Sequence, residues 1–192
     1  GGPLDRAGDR RRGDAAVAEL LSHPKARVAP VWRDRNLVEP GDDKSDGGPR
    51  AGWLTGEAAV TVTMHASVQV FLGLWEDAPY FAVDLSHHEE QALPDLVNGA
   101  TFEDLRQVGR LLAADEATIL AYARGMTHWH RRQKYCSDCG SPTEARDSGH
   151  VQACTNPDCG RSHFPRTDPA VIMLVTHVGA DGVDRCLLGW ST

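Results

Sequence analysis

The sequence predicts an α+β protein in three parts: an N-terminal α/β domain, a four-cysteine zinc ribbon, and a β-hairpin that begins a further domain. Three observations carry this. Strand-like runs separated by turn residues occupy residues 60–86, and two helix-like patterns follow between residues 101 and 133. Four of the five cysteines then fall in two close pairs between Cys136 and Cys159. With 192 residues, 41% apolar and 24% charged, the chain can bury a core. A net charge of −7 argues against coating nucleic acid by charge alone and leaves room for a local basic site.

Residues 1–14, "GGPLDRAGDRRRGD", read as a flexible leader without the apolar run of a signal peptide. No initiator methionine opens the chain, so its natural start is expected to have been cut or replaced. A short helix is expected over Ala15–Leu21, ended by "SHPKA", and the Gly-, Pro- and Asp-rich stretch Val38–Arg50 as a mobile loop. Val60, Val62 and Met64 alternate with threonines and predict a half-buried strand over Val60–Met64. Ser67–Leu74 and Tyr80–Ser86 flank "WEDAP" as an antiparallel hairpin. Thr101 with Asp104 resembles a capping box opening a helix with Leu105, Val108, Leu111 and Leu112. A second helix, from about Glu116 to Gln133, carries Ile119, Tyr122, Met126 and Trp129 as a core stripe. These elements set an N-terminal domain over 15–133, a ribbon over 134–166, and a last segment over 167–192 in which "PAVIMLVTH" and "RCLLG" bracket a second hairpin. Cys186 in that hairpin reads as a core residue.

The cysteine spacing is Cys136-x2-Cys139, fourteen residues, then Cys154-x4-Cys159. Gly140 and Gly160 follow the second cysteine of each pair and permit the positive φ of a tight knuckle. Two such knuckles make a tetrahedral four-thiolate cage, for which zinc is the natural occupant. With all four positions filled by sulfur, the zinc is expected to be structural, one per chain. His150 and His163 are alternative ligands by position, although the cysteines already make four. His87-His88-Glu89-Glu90 lies in polar sequence between a strand and a helix and reads as a solvated turn. His128 and His130 flank Trp129 and point in different directions on their helix. Residues 124–166 hold seven Lys/Arg against four Asp/Glu, including Arg131, Arg132, Lys134, Arg161 and Arg166. That local excess reads either as a solvated face or as a surface for phosphate or RNA.

The segments "YARGMTHWHRRQKYCSDCG", "HFPRTDPAVIMLVTH" and "CLLG", with the second cysteine pair, resemble the NADH pyrophosphatases of the Nudix superfamily, which also remove NAD caps from RNA. The resemblance runs from about Val70 to Gly189. It implies an N-terminal α/β domain, a zinc ribbon and a C-terminal Nudix domain, usually in a homodimer. The implied reaction cleaves NAD(H) to nicotinamide mononucleotide and AMP with Mg or Mn. The four cysteines then match the family's zinc ligands. Phe164 matches an aromatic that stacks on the nicotinamide end of the substrate, and Ile172 a position whose backbone lies near it. From the residues alone, Phe164 reads equally as a core aromatic beside the zinc.

Two departures are local: four residues instead of two inside the second knuckle, and Trp190 where many relatives carry Arg. A third concerns catalysis. The Nudix box, G-x5-E-x7-R-E-U-x-E-E-x-G-U with U a bulky aliphatic, gathers glutamates that hold divalent ions on the diphosphate. The resemblance places this box beyond Thr192, so the chain is expected to be the front of such an enzyme, with a truncated Nudix domain and no turnover by itself. The alternative is a non-catalytic module whose ribbon binds RNA or a protein partner. A dimerisation scaffold is the third possibility. No membrane span is expected, since the longest apolar run, Ala170–Val175, is about a third of the length needed. Reduced, paired thiols without an export signal point to the cytosol.

Overall fold

The computed structural model describes residues 2–41, 48–93, 100–166 and 173–188. Its centre is a six-stranded sheet built from β1 (Arg27–Trp32), β2 (Arg35–Glu39), β3 (Arg50–Ala51), β4 (Val68–Trp75), β5 (Ala78–Asp84) and β6 (Thr101–Glu103). The main path runs β3-β2-β1-β5-β4, with β6 also paired to β2. β1 and β5 are parallel, and the other pairings are antiparallel. Every residue of β5 is buried, because the sheet is covered on both sides. Tyr80 and Ala82 point into one apolar layer, with Ile119, Leu120, Ala123 and Met126 of the long helix. Phe81 and Val83 point into the other, with Ala59, Val62 and the N-terminal helix residues Val17, Leu20 and Leu21.

Helix α1 spans Asp14–Leu21, close to the expected Ala15–Leu21. The expected β4–β5 hairpin forms, turning on Glu76 and Asp77 at φ of 49° and 61°. The strand expected over Val60–Met64 is instead helix α2, Gly56–Met64. Helical spacing brings Ala59 and Val62 together onto the sheet, while Val60 and Met64 stay exposed. Burial of that pair on the sheet outweighs the strand preference of the Val/Thr alternation. Thr101 opens no helix: it begins β6, and Asp104 caps the short helix α3, Leu105–Val108, by accepting the Arg106 N–H at 3.0 Å. Leu111 is exposed, beyond that helix. Helix α4 runs Ala114–Arg132 and carries the expected stripe. Of the expected loop Val38–Arg50, both ends are strand (Val38 and Glu39 in β2, Arg50 in β3), and residues 42–47 lie outside the described residues.

The leader is not free. Asp5 and Leu74 exchange both backbone hydrogen bonds at 2.8 Å, Ala7 is buried, and residues 8–11 form a 3-10 turn. The Arg6 guanidinium lies 3.5 Å from the centre of the Tyr122 ring. Gly73 makes this approach possible. Its φ is +142°, and a Cβ there would stand 2.2 Å from the Asp5 carbonyl oxygen. Gly73→Val is therefore expected to destabilise the domain by about 2 kcal/mol and to open residues 5–11 to limited proteolysis. Unchanged cleavage kinetics at Arg10–Arg12 would show that the leader does not depend on this contact.

The ribbon is a three-stranded antiparallel sheet of β7 (Thr143–Arg146), β8 (Val151–Cys154) and β9 (Ser162–His163). Beyond it, β10 (Thr176–Val178) and β11 (Asp184–Cys186) form the expected second hairpin. Cys186 is exposed there rather than in a core, because no described element packs over this hairpin. Met173, Leu174, Val178, Leu187 and Leu188 are exposed alongside it. Among the described residues no helix is long and apolar enough to cross a membrane.

Candidate metal centre and its junction with the N-terminal domain

Each knuckle is closed by its own backbone. The Gly140 N–H donates to the Cys136 carbonyl at 2.9 Å, and the Gly160 N–H to the Asn156 carbonyl at 2.9 Å. Gly140 and Gly160 have φ of 75° and 57°, the left-handed turn expected of them. The Cys136 N–H reaches the Ser141 carbonyl and the Cys154 N–H the Arg161 carbonyl, both at 2.8 Å. An ion pair between Arg161 and Asp138 joins one knuckle to the other across the surface.

The four sulfurs converge. Cys136 and Cys159 are 3.8 Å apart, Cys139 and Cys154 3.4 Å, and all four lie within 4.8 Å of one another. A tetrahedron with zinc–sulfur bonds of about 2.3 Å has sulfur–sulfur edges of about 3.8 Å. The donor set therefore fits zinc in size and in chemistry. Backbone N–H groups supply hydrogen bonds to three of the sulfurs: Ser141 to Cys139, Asn156 to Cys154 and Arg161 to Cys159. The Ser141 bonds, from hydroxyl and amide, hold the Cys139 thiol down to about 6, whereas burial pushes Cys154 up. Four adjacent thiols do not all ionise unaided, and a divalent cation supplies the missing charge.

The histidines divide as their positions allow. His163, in β9, bonds the Cys136 sulfur from Nε2 at 3.3 Å and is not one of the four converging ligands. His150 turns away from the cage and donates from Nε2 to the Phe71 carbonyl at 2.7 Å. His130 donates from Nε2 to the Gly149 carbonyl at 2.7 Å and accepts from Gln152 Nε2 at 2.6 Å. His128, facing the other way on α4, bonds Asp34 at 3.0 Å. His87, Glu89 and Glu90 are exposed, in keeping with a solvated turn.

Buried His130 and half-buried His150 dock the ribbon. The β7–β8 turn lies on β4, where the Phe71 N–H donates to the Ser148 carbonyl at 3.1 Å and Ser148 Oγ to the Arg11 carbonyl at 2.7 Å. Nothing in the sequence patterns pointed to this junction, since it forms between polar residues far apart in the chain. Burial pushes His150 down to about 4 and lowers His130 as well. An unfolded histidine titrates near 6.5, so between about 6.5 and 4 the unfolded chain binds more protons. The stability from neutral His150 is fully present above about pH 6.5 and is lost as pH falls toward about 4, and that from His130 is lost in the same direction. The zinc cage also takes up protons in acid, so the diagnostic is a difference between variants. His150→Gln is expected to show a smaller fall in urea midpoint between pH 7 and pH 5 than the parent. An equal fall would exclude His150 as a source.

Phe164 follows β9 directly and is 62% exposed, so it is not a core aromatic beside the metal. Ile172 lies outside the described residues. Of the basic residues singled out, Arg131 pairs with Asp34 and Asp84, and Arg161 with Asp138. Arg124 pairs with Asp104 and Arg146 with Glu144 as well, so at least four of the seven Lys/Arg in residues 124–166 have a carboxylate partner.

A sheet domain followed by a four-cysteine ribbon defines a class that comparison with known proteins identifies. The NADH pyrophosphatase-like rudimentary NUDIX domain matches residues 25–129, and the NADH pyrophosphatase zinc ribbon domain matches residues 131–164. The chain belongs to the NADH pyrophosphatase family of Nudix proteins. It is 33% identical to the NAD-capped RNA hydrolase NudC of Mycobacterium bovis over 184 residues, 96% of this chain and 53% of that protein. It is 31% identical to the chloroplastic Nudix hydrolase 19 of Arabidopsis thaliana, over 79% of this chain and 38% of that protein. Human NAD-capped RNA hydrolase NUDT12 is 39% identical over 84 residues, 41% of this chain and 18% of that protein. The chain thus spans about half or less of the length of these relatives.

Proposed function

We propose that the protein to which this chain belongs hydrolyses the diphosphate of NAD(H) to nicotinamide mononucleotide and AMP and removes NAD caps from RNA. The observation that carries this reading is Phe164, an aromatic ring presented to solvent directly after a four-cysteine cage. A flat exposed face at that place can stack on a nicotinamide ring. The zinc is structural in this reading, because four sulfurs leave no open position for water. Mg or Mn serves catalysis on glutamates outside this chain, and Ile172 matches the position whose backbone lies near the nicotinamide. The working protein is a cytoplasmic homodimer.

The test is AMP release from NADH and from NAD-capped RNA with Mg and Mn. Turnover is expected from the full-length protein and none from residues 1–192. Phe164→Ala in the full-length protein is expected to raise KM several-fold, the loss of about 1 kcal/mol of ring stacking. Turnover by residues 1–192 alone would overturn the placement of the catalytic carboxylates. Kinetics untouched by Phe164→Ala would remove the stacking role.

A further inference from the structure

Three cage sulfurs receive a hydrogen bond from the amide two residues further along the chain: Ser141 for Cys139, Asn156 for Cys154 and Arg161 for Cys159. The Cys136 sulfur meets a side-chain nitrogen, His163 Nε2, at 3.3 Å. Cys136 is also a buried ligand, so its sulfur has little access to water as a substitute donor. A metal-bound thiolate can only accept. The ring nitrogen facing it must therefore carry the proton, which fixes His163 as the Nε2–H tautomer.

We propose that His163 is a positioning residue of the metal centre: its Nε2–H bond holds the Cys136 thiolate in the cage and ties β9 to it. His163 stands opposite Gln152 in the β8–β9 pairing, and the next residue is Phe164. The same bond thus fixes the backbone from which the exposed ring projects. His163 is not a fifth ligand, because the four sulfurs alone converge within 4.8 Å and complete a tetrahedral shell. The cost of losing such an outer partner is commonly about 10- to 100-fold in metal affinity. This inference concerns the zinc cage and does not depend on the nucleotide substrate.

The experiment compares residues 1–192 with His163→Phe, which keeps a ring without the donor, and His163→Gln, which keeps an N–H at similar reach. Each is loaded with zinc for release to a colorimetric chelator, and with cobalt for its absorption spectrum. His163→Phe is expected to release zinc roughly tenfold faster and to shift the sulfur-to-cobalt charge-transfer band, and His163→Gln to recover most of both. Failure of His163→Phe to load metal, where His163→Gln loads it, would be the same result in stronger form. Parent-like release and an unshifted band in His163→Phe would overturn the proposal. So would equal losses in both variants, which would mean ring packing alone. A parent cobalt spectrum of three sulfurs and one nitrogen would overturn it as well, by making His163 a ligand.

Discussion

Withdrawal of zinc is expected to unfold the ribbon, residues 134–164, while the six-stranded sheet stays folded. The two parts are held by different forces. The sheet has an apolar layer on each face, with Phe71, Phe81, Leu37, Ile119 and Leu120 fully buried. The ribbon buries Cys136, Val151, Gln152, Ala153 and Cys154, two of which are metal ligands, while most of β7 is exposed. So little apolar area cannot offset the conformational entropy of ordering some thirty residues. Metal binding contributes on the order of 10 kcal/mol in comparable small zinc domains. Hydrogen exchange with and without a strong chelator reads this directly. Amides of β7 and β8 should lose protection on chelation, those of β1 and β5 should keep it, and Phe71, bonded to Ser148, should follow the ribbon. Cys154→Ser should reproduce the chelated pattern. A ribbon that stays protected without metal would mean that docking alone suffices to fold it.

What the sequence made legible follows from how local each signal is. The cysteine pairs and their glycines encode the knuckles within a few residues, and they form where expected. The β4–β5 hairpin and helix α4 carry strong periodicity over seven or more residues, and both appear. The central strand β1 went unread because Pro30 interrupts it and its turn to β2 uses Arg33 and Asp34 at positive φ instead of glycine. Helix α2 was misread because Val and Thr alternate over a stretch whose burial is decided by the sheet beneath it. Cys186 sits in an apolar run, and the run says nothing of whether a neighbour covers it. At the site, the ligands were legible and their supports were not. The bonds from His150 and His130 depend on a docking that no local pattern encodes, and that from His163 on the two ends of the ribbon folding together.

Arg131→Met is expected to cost about 3–5 kcal/mol, the usual effect of removing one partner of a buried ion pair. Asp84, at the end of β5, is 2% exposed. Its Oδ1 accepts from Arg131 at 3.1 Å and from the Ser86 N–H at 3.1 Å, and Arg131 also donates to Ser86 Oγ at 2.9 Å. The other arm of the guanidinium pairs with Asp34 in the β1–β2 turn. One side chain thus ties the last turn of α4 to both parallel strands, just before the chain enters the ribbon. Methionine would fill much of the volume yet leave the Asp84 carboxylate buried without its cation. The double variant Arg131→Met/Asp84→Asn separates charge from shape, since it removes both charges together. If the cost is electrostatic, urea unfolding should show the double variant recovering more than half of the loss, a coupling of about 2 kcal/mol. If the cost is packing, the two changes should add. Additive losses would assign the anchoring to the arginine's contacts with Asp34 and Ser86, leaving Asp84 a buried charge satisfied mainly by Ser86.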